Sequence, residues 1–214
     1  MKKYLASVVI LIVVIIGVTY AIYDTPAPEP VPSNDAETMS VIYSSSAIGF
    51  SVTLPGVVAS TSDEYSDSYK VDETYVYQAS PAKVIPGVKF TIPENMATGT
   101  NLSRDSYVSV ESLPVSGQSC KANIFLDGTH DIVEENQNDI SYSVASSSGA
   151  GAGNRYDETV YAIGGTDPCI AVRYFLHYTV VQNYPEGTVR EFDRDALVKE
   201  FDSIRKSLVL KETK

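Results

Sequence analysis

The chain has no tryptophan, only two histidines and only two cysteines in 214 residues. That scarcity restricts imidazole acid–base chemistry and zinc coordination. No CxxC pair, HExxH helix or GxSxG elbow occurs, which removes dithiol redox, zinc-protease and α/β-hydrolase signatures. Positive charge is scarce too. There are 16 Lys and Arg against 27 Asp and Glu, a formal charge of −11. No Lys or Arg stands between Lys3 and Lys70. Nucleic-acid affinity comes mainly from cations set against phosphates, so a nucleic-acid partner is excluded. Attachment to anionic lipid headgroups is excluded on the same ground. The acidity permits a cation or a basic partner.

What is present begins with MKKYLASVVILIVVIIGVTYAI. Lys2 and Lys3 precede an apolar run from Leu5 to Ile22. A spanning helix needs roughly 20 apolar residues, and the charge bias keeps the Lys end inside. Residues 1–23 are therefore expected to be a retained signal anchor, contacting the bilayer through residues 5–22. The alternative is a signal peptide cleaved after Ala21. Everything beyond is expected outside the cytoplasm, as a single-pass protein of the cell membrane. Residues 24–38 carry Pro26, Pro28, Pro30 and Pro32, which prevent both helix and ladder. Such a linker is extended, at about 3.1 Å per residue.

Residues 39–214 suit one domain. In an exported chain the two cysteines, Cys120 and Cys169, are expected to pair. The loop so closed is worth roughly 4 kcal/mol on the chain-entropy model.

The pattern from residue 40 is mostly period two and rich in Val, Ile, Tyr and Thr, which favours strands. Strands are expected at 41–45, 49–54, 71–78, 88–92, 107–113, 139–147, 155–163 and 169–181. A short helix is expected at 120–126. In the last strand Ile170, Val172, Tyr174, Leu176 and Tyr178 share an apolar face that must be covered. Near the C-terminus Leu197, Phe201, Ile204 and Leu208 form a helical stripe, with Asp193 as N-cap and Phe192 stapled to Leu197. Leu208 to Leu210 reads as a closing strand or a frayed tail. The expected class is α+β, an antiparallel sheet covered by helices.

The domain's ends carry a resemblance. YSSSAIGFSVTLP, at 43–55, resembles the opening hairpin of PsbP-like domains, and VREFDRDALVKEFDSIRKSLVL, at 189–210, resembles their closing helix and last strand. That family is an α/β/α sandwich. It includes an extrinsic protein of photosystem II, a small Ran-binding protein and many bacterial envelope proteins. The resemblance implies that fold and a non-catalytic scaffold role. The lack of Trp and the Gly-Ala tip depart from it, and it transfers no binding residue.

Several chemical candidates remain. SSSGAGAG, at 146–153, is Gly-rich, but Asn154 stands where a dinucleotide fingerprint needs its third Gly and no Lys follows. A hairpin tip is expected there. His177 shares a strand with Cys169 eight positions away, about 27 Å at 3.3 Å per residue, too far for a nucleophile pair. A structural, hydrogen-bonded histidine is expected. Asp127, His130, Asp131 and Glu134 are the metal candidates, and a helix would set His130 and Glu134 on one face. Their spacing matches neither an EF-hand nor HExxH, and a solvated acidic loop is the expectation. Asp63, Glu64, Asp67, Asp72 and Glu73 read likewise. No cofactor is expected. Fifteen tyrosines supply strand residues with buried rings and wet hydroxyls, or a stacking surface. The expected function is a membrane-anchored, non-catalytic module making protein–protein contacts in the envelope. The alternative is a ligand- or calcium-binding domain, with an enzyme ranked last.

Overall fold

Alternation of apolar and polar residues drives the chain into strands, and six of the nine strand pairs join sequence neighbours. The computed structural model describes residues 40–56, 67–137 and 140–211. The anchor and linker expected at 1–38 lie outside the described residues. Among the described residues no helix is long and apolar enough to cross a membrane.

A small sheet comprises β1 (Ser40–Ser45), β2 (Phe50–Pro55) and β11 (Val209–Leu210), in the order β1-β2-β11. The tail after the last helix is thus a strand, its two residues pairing with Ser51 and Phe50. The main sheet contains β3 (Lys70–Asp72), β4 (Val76–Ser80), β5 (Lys83–Thr91), β6 (Tyr107–Leu113), β7 (Val133–Gln137), β8 (Ile140–Gly151), β9 (Asn154–Ile163) and β10 (Cys169–Thr179). Its order is β3-β5-β6-β10-β9-β8-β7, with β4 pairing on β5. Every strand pair in both sheets is antiparallel.

The expected apolar face of β10 is the centre of the core. Ile170, Val172, Tyr174 and Leu176 are buried against Phe90, Val108 and Val110 of neighbouring strands. Phe50, Val52 and Leu54 of β2 and the helical stripe Leu197, Phe201 and Ile204 close over them. That helix, α2 (Arg194–Lys206), follows α1 (Glu94–Ala97), a single turn. Asp193 caps α2, its carboxylate accepting from the Ala196 N–H at 2.9 Å. Burying such a stripe contributes roughly 1.5–3 kcal/mol per large apolar side chain.

The opposite face has a smaller core of Ile85, Phe125, Leu126, Val160 and the small residues Ala145, Ala162 and Ala171. Here the expected α/β/α sandwich is overturned. Its second helical layer is replaced by 3-10 turns, Gly117–Ser119 and Ala122–Phe125, together with the β4 arm. The segment 120–126 is no α-helix, because Cys120 is bridged to Cys169 (S–S 2.02 Å) and the buried run is one turn long. Among the described residues the molecule is an antiparallel β fold with one covering helix of length.

Three strand expectations shift. The strand expected at 71–78 breaks after Asp72, whose side chain accepts from the Thr74 N–H (3.0 Å) and hydroxyl (2.8 Å) to make a turn. β5 starts earlier than expected and carries Pro86 on its exposed side. The Gly-Ala run is strand rather than tip, since Gly149 to Gly151 pair with Tyr156 to Asn154. The reversal falls on Ala152 and Gly153, both at positive φ.

Candidate functional site

On the second face of the main sheet, alternate residues of β10 run Cys169, Ala171, Arg173, Phe175, His177. The first two lie under the small core. The last two are only half-buried. Between them sits Arg173, fully buried.

Strand register explains what meets Arg173. β6 places Ser109 opposite it and Glu111 opposite Ala171, while β9 places Glu158 opposite Phe175. Arg173 Nε donates to Glu111 Oε1 at 2.7 Å and Nη2 donates to Glu111 Oε2 at 2.9 Å, a bidentate pair. Nη2 also donates to the Phe125 carbonyl at 2.7 Å, and Nη1 donates to Glu158. The Tyr77 ring covers the guanidinium at 3.6 Å, and its hydroxyl donates to Glu158 at 2.8 Å. Burial by itself would lower the Arg173 pKa. The Glu111 and Glu158 carboxylates outweigh it and hold the group charged. Burial raises the pKa of the Tyr75, Tyr77 and Tyr107 hydroxyls, keeping them neutral.

Below this base the face is aromatic. Tyr107 and Phe175 are directly opposite and stack at 4.8 Å with 16° between planes. Tyr156 and His177 stack at 4.5 Å and 23°. Tyr75 meets Tyr107 edge-on, their hydroxyls 2.8 Å apart, and Lys89 Nζ lies 5.4 Å from the Tyr75 ring centre. Side chains stand roughly upright from a sheet. Rings stacked on one another therefore occupy each other's faces and leave their edges to solvent, while the Tyr75 and Tyr107 hydroxyls bond each other inside the layer.

His177 is fixed at both nitrogens. Nδ1 lies 2.8 Å from Asp105 Oδ1 and Nε2 lies 3.0 Å from Asn154 Oδ1. Burial pushes the Asp105 pKa up, but hydrogen bonds from Ser103 and His177 prevail and hold it below its ordinary value. Cys169, on the same face, is in the disulfide. No thiol faces the imidazole.

The structure does not gather the four metal candidates. Asp127 and Asp131 are exposed, and the His130 ring contacts the Asp127 backbone carbonyl. Glu134 is on β7 rather than a helix, and Lys121 donates to it at 2.7 Å. Among the described residues no three His, Cys, Asp or Glu side chains are placed to hold a metal ion. Asp63 and Glu64 lie outside the described residues. Glu73 accepts from the Tyr43 hydroxyl at 2.6 Å, and Asp72 is 3.7 Å from Lys89.

Sequence reasoning missed Arg173, Glu111 and Glu158 as a group. The available signal was a single charge inside β6, Glu111, and inside β10, Arg173, whereas β9 also carries Arg155 and Asp157 and so did not single out Glu158. It also missed Arg205, in the last turn of α2. Arg205 is buried between the Tyr142 and Tyr161 rings, at 4.7 and 4.1 Å, and Nη2 donates to Asp202 at 3.1 Å.

No protein-family model and no curated protein matches this chain. Among solved structures, a protein of Bacteroides thetaiotaomicron is similar at a TM-score of 0.37 and 12% identity, over 76% of this chain. The chain spans 45% of that protein's length. A likeness at that level establishes no family for it.

Proposed function

We propose that the domain is a non-catalytic binding module, held outside the cytoplasm by the apolar segment 5–22, whose open aromatic face makes protein–protein contacts in the cell envelope. The observation that carries this reading is the partly exposed row Tyr75, Phe175, Tyr156 and His177, packed on the buried Tyr107 ring and set on the Arg173–Glu111–Glu158 base. Aromatic side chains contribute large contact area at low entropic cost and are enriched where proteins meet. Because the rings stack on one another, they offer edges rather than open faces, which suit a peptide better than a flat sugar ring. The engagement of both His177 nitrogens and of Cys169 supports a role without nucleophilic chemistry.

The test is photo-crosslinking in intact cells from a reactive amino acid at position 156, with position 44 as the control on the small sheet. A discrete adduct from 156 that disappears when Tyr75→Ala and Phe175→Ala are added, with the melting temperature little changed, supports the reading. Equal adducts from 44 and 156, or none from 156, defeats it. The full chain is expected to stay with membranes through a high-salt wash, and its appearance in the soluble fraction would refute the anchor.

A further inference from the structure

We propose that the chain self-associates through the outer edge of β8, two copies pairing antiparallel to join their main sheets. β8 is bonded to β9 from Tyr142 to Gly151. On its other side β7 covers only Ile140 to Val144. Among the described residues no strand pairs with the remaining edge, 145–151. Its backbone donors and acceptors are a template for another strand.

Proteins protect such edges with charge, proline or a bulge. Here the segment reads ASSSGAG, and no charged residue or proline occurs from Ser141 to Asn154. In a chain of net charge −11, this is where two copies approach with least repulsion. The segment is compatible with itself about a two-fold axis at Ser148. Ser148 then faces its own copy, Ser147 faces Gly149, Ser146 faces Ala150 and Ala145 faces Gly151. Every facing pair is small and uncharged, and an isologous contact of this kind closes as a dimer.

A second, independent observation lies at the end of the free edge. Ile132 and Val133, where β7 begins, are 38% and 66% exposed. Val133 pairs with Val144, one residue before the edge opens. An antiparallel second copy extends past Ala145 with its own Ala152 tip and covers both side chains. Each of the two apolar ends is thereby buried by the other copy's hairpin. The inference is independent of the partner on the aromatic face.

The test uses the full chain in detergent, by sedimentation with the detergent density-matched. A dimer is expected, converted to monomer by Ser148→Lys, which sets two ammonium groups opposite one another, and kept by Ser44→Lys on β1. A wild-type monomer up to about 1 mM, the range of the weakest specific complexes, overturns the inference. So does a dimer that survives Ser148→Lys. Should that variant fail to fold, Ser148→Cys decides. Facing Cα atoms across a strand pair are about 4.5–5.5 Å apart, within disulfide reach. Oxidation is expected to double the mass on a non-reducing gel for Ser148→Cys and not for Ser44→Cys. Failure of Ser148→Cys to crosslink overturns the inference.

Discussion

A guanidinium taken from water into a protein interior loses several kcal/mol of hydration. Arg173 offsets that loss with donor bonds to Glu111, Glu158 and a backbone carbonyl, under the Tyr77 ring. Its removal strands Glu111, whose side chain is fully buried. Arg173→Met is therefore expected to cost about 3–5 kcal/mol in urea unfolding. Arg194→Met, at a half-exposed pair with Asp157, is expected to cost under about 1 kcal/mol. Equal costs would show that the buried network is energetically ordinary. Asp202 gives a dependence on pH. Burial raises its pKa, but hydrogen bonds from Tyr174 and Arg205 prevail and hold it below the ordinary aspartate value. A depressed folded pKa means stability present above about pH 4, the unfolded value, and lost as pH falls further. Unfolding midpoints should fall below that pH in the wild type, and the fall should be shallower in Asp202→Asn. The Arg173 partnerships were not legible beforehand. They join side chains from three separate strands, and only register places Glu111 and Glu158 against Arg173.

At the scale of elements, local pattern carried further. The apolar alternation of β10 and the stripe of α2 were readable because each element's buried face follows its own period. The α2 start was readable because the cap is a local bond. Asp193→Ala is expected to remove about 1 kcal/mol, seen as a lower unfolding midpoint, whereas Asp195→Ala in the first turn should remove less. A larger loss from Asp195→Ala would contradict the cap assignment. Elements without their own period were misread. Residues 133–137, VEENQ, look like a solvated acidic run yet form β7, because Tyr142 and Val144 offer backbone partners. Residues 149–151 look like a loose tip yet form strand, because β9 is long enough to bond them. In both cases the neighbouring strand supplied what side chains did not.

At the scale of the whole molecule, the sheet was legible and its covering was not. Strand rhythm indicates an antiparallel sheet, but nothing in the rhythm says what lies on its second face. A helical layer was expected, and a disulfide-pinned turn and a strand arm occupy the position. That disulfide joins Cys120 to Cys169, a separation of 49 residues that encloses β7, β8 and β9. Three of the eight main-sheet strands thus lie within a covalent ring. A protease that severs the exposed hairpin at Gly153 opens the ring without releasing either piece. Nicking there would leave a two-chain molecule heavier only by the one water added, its pieces separating only after the sulfur bridge is reduced.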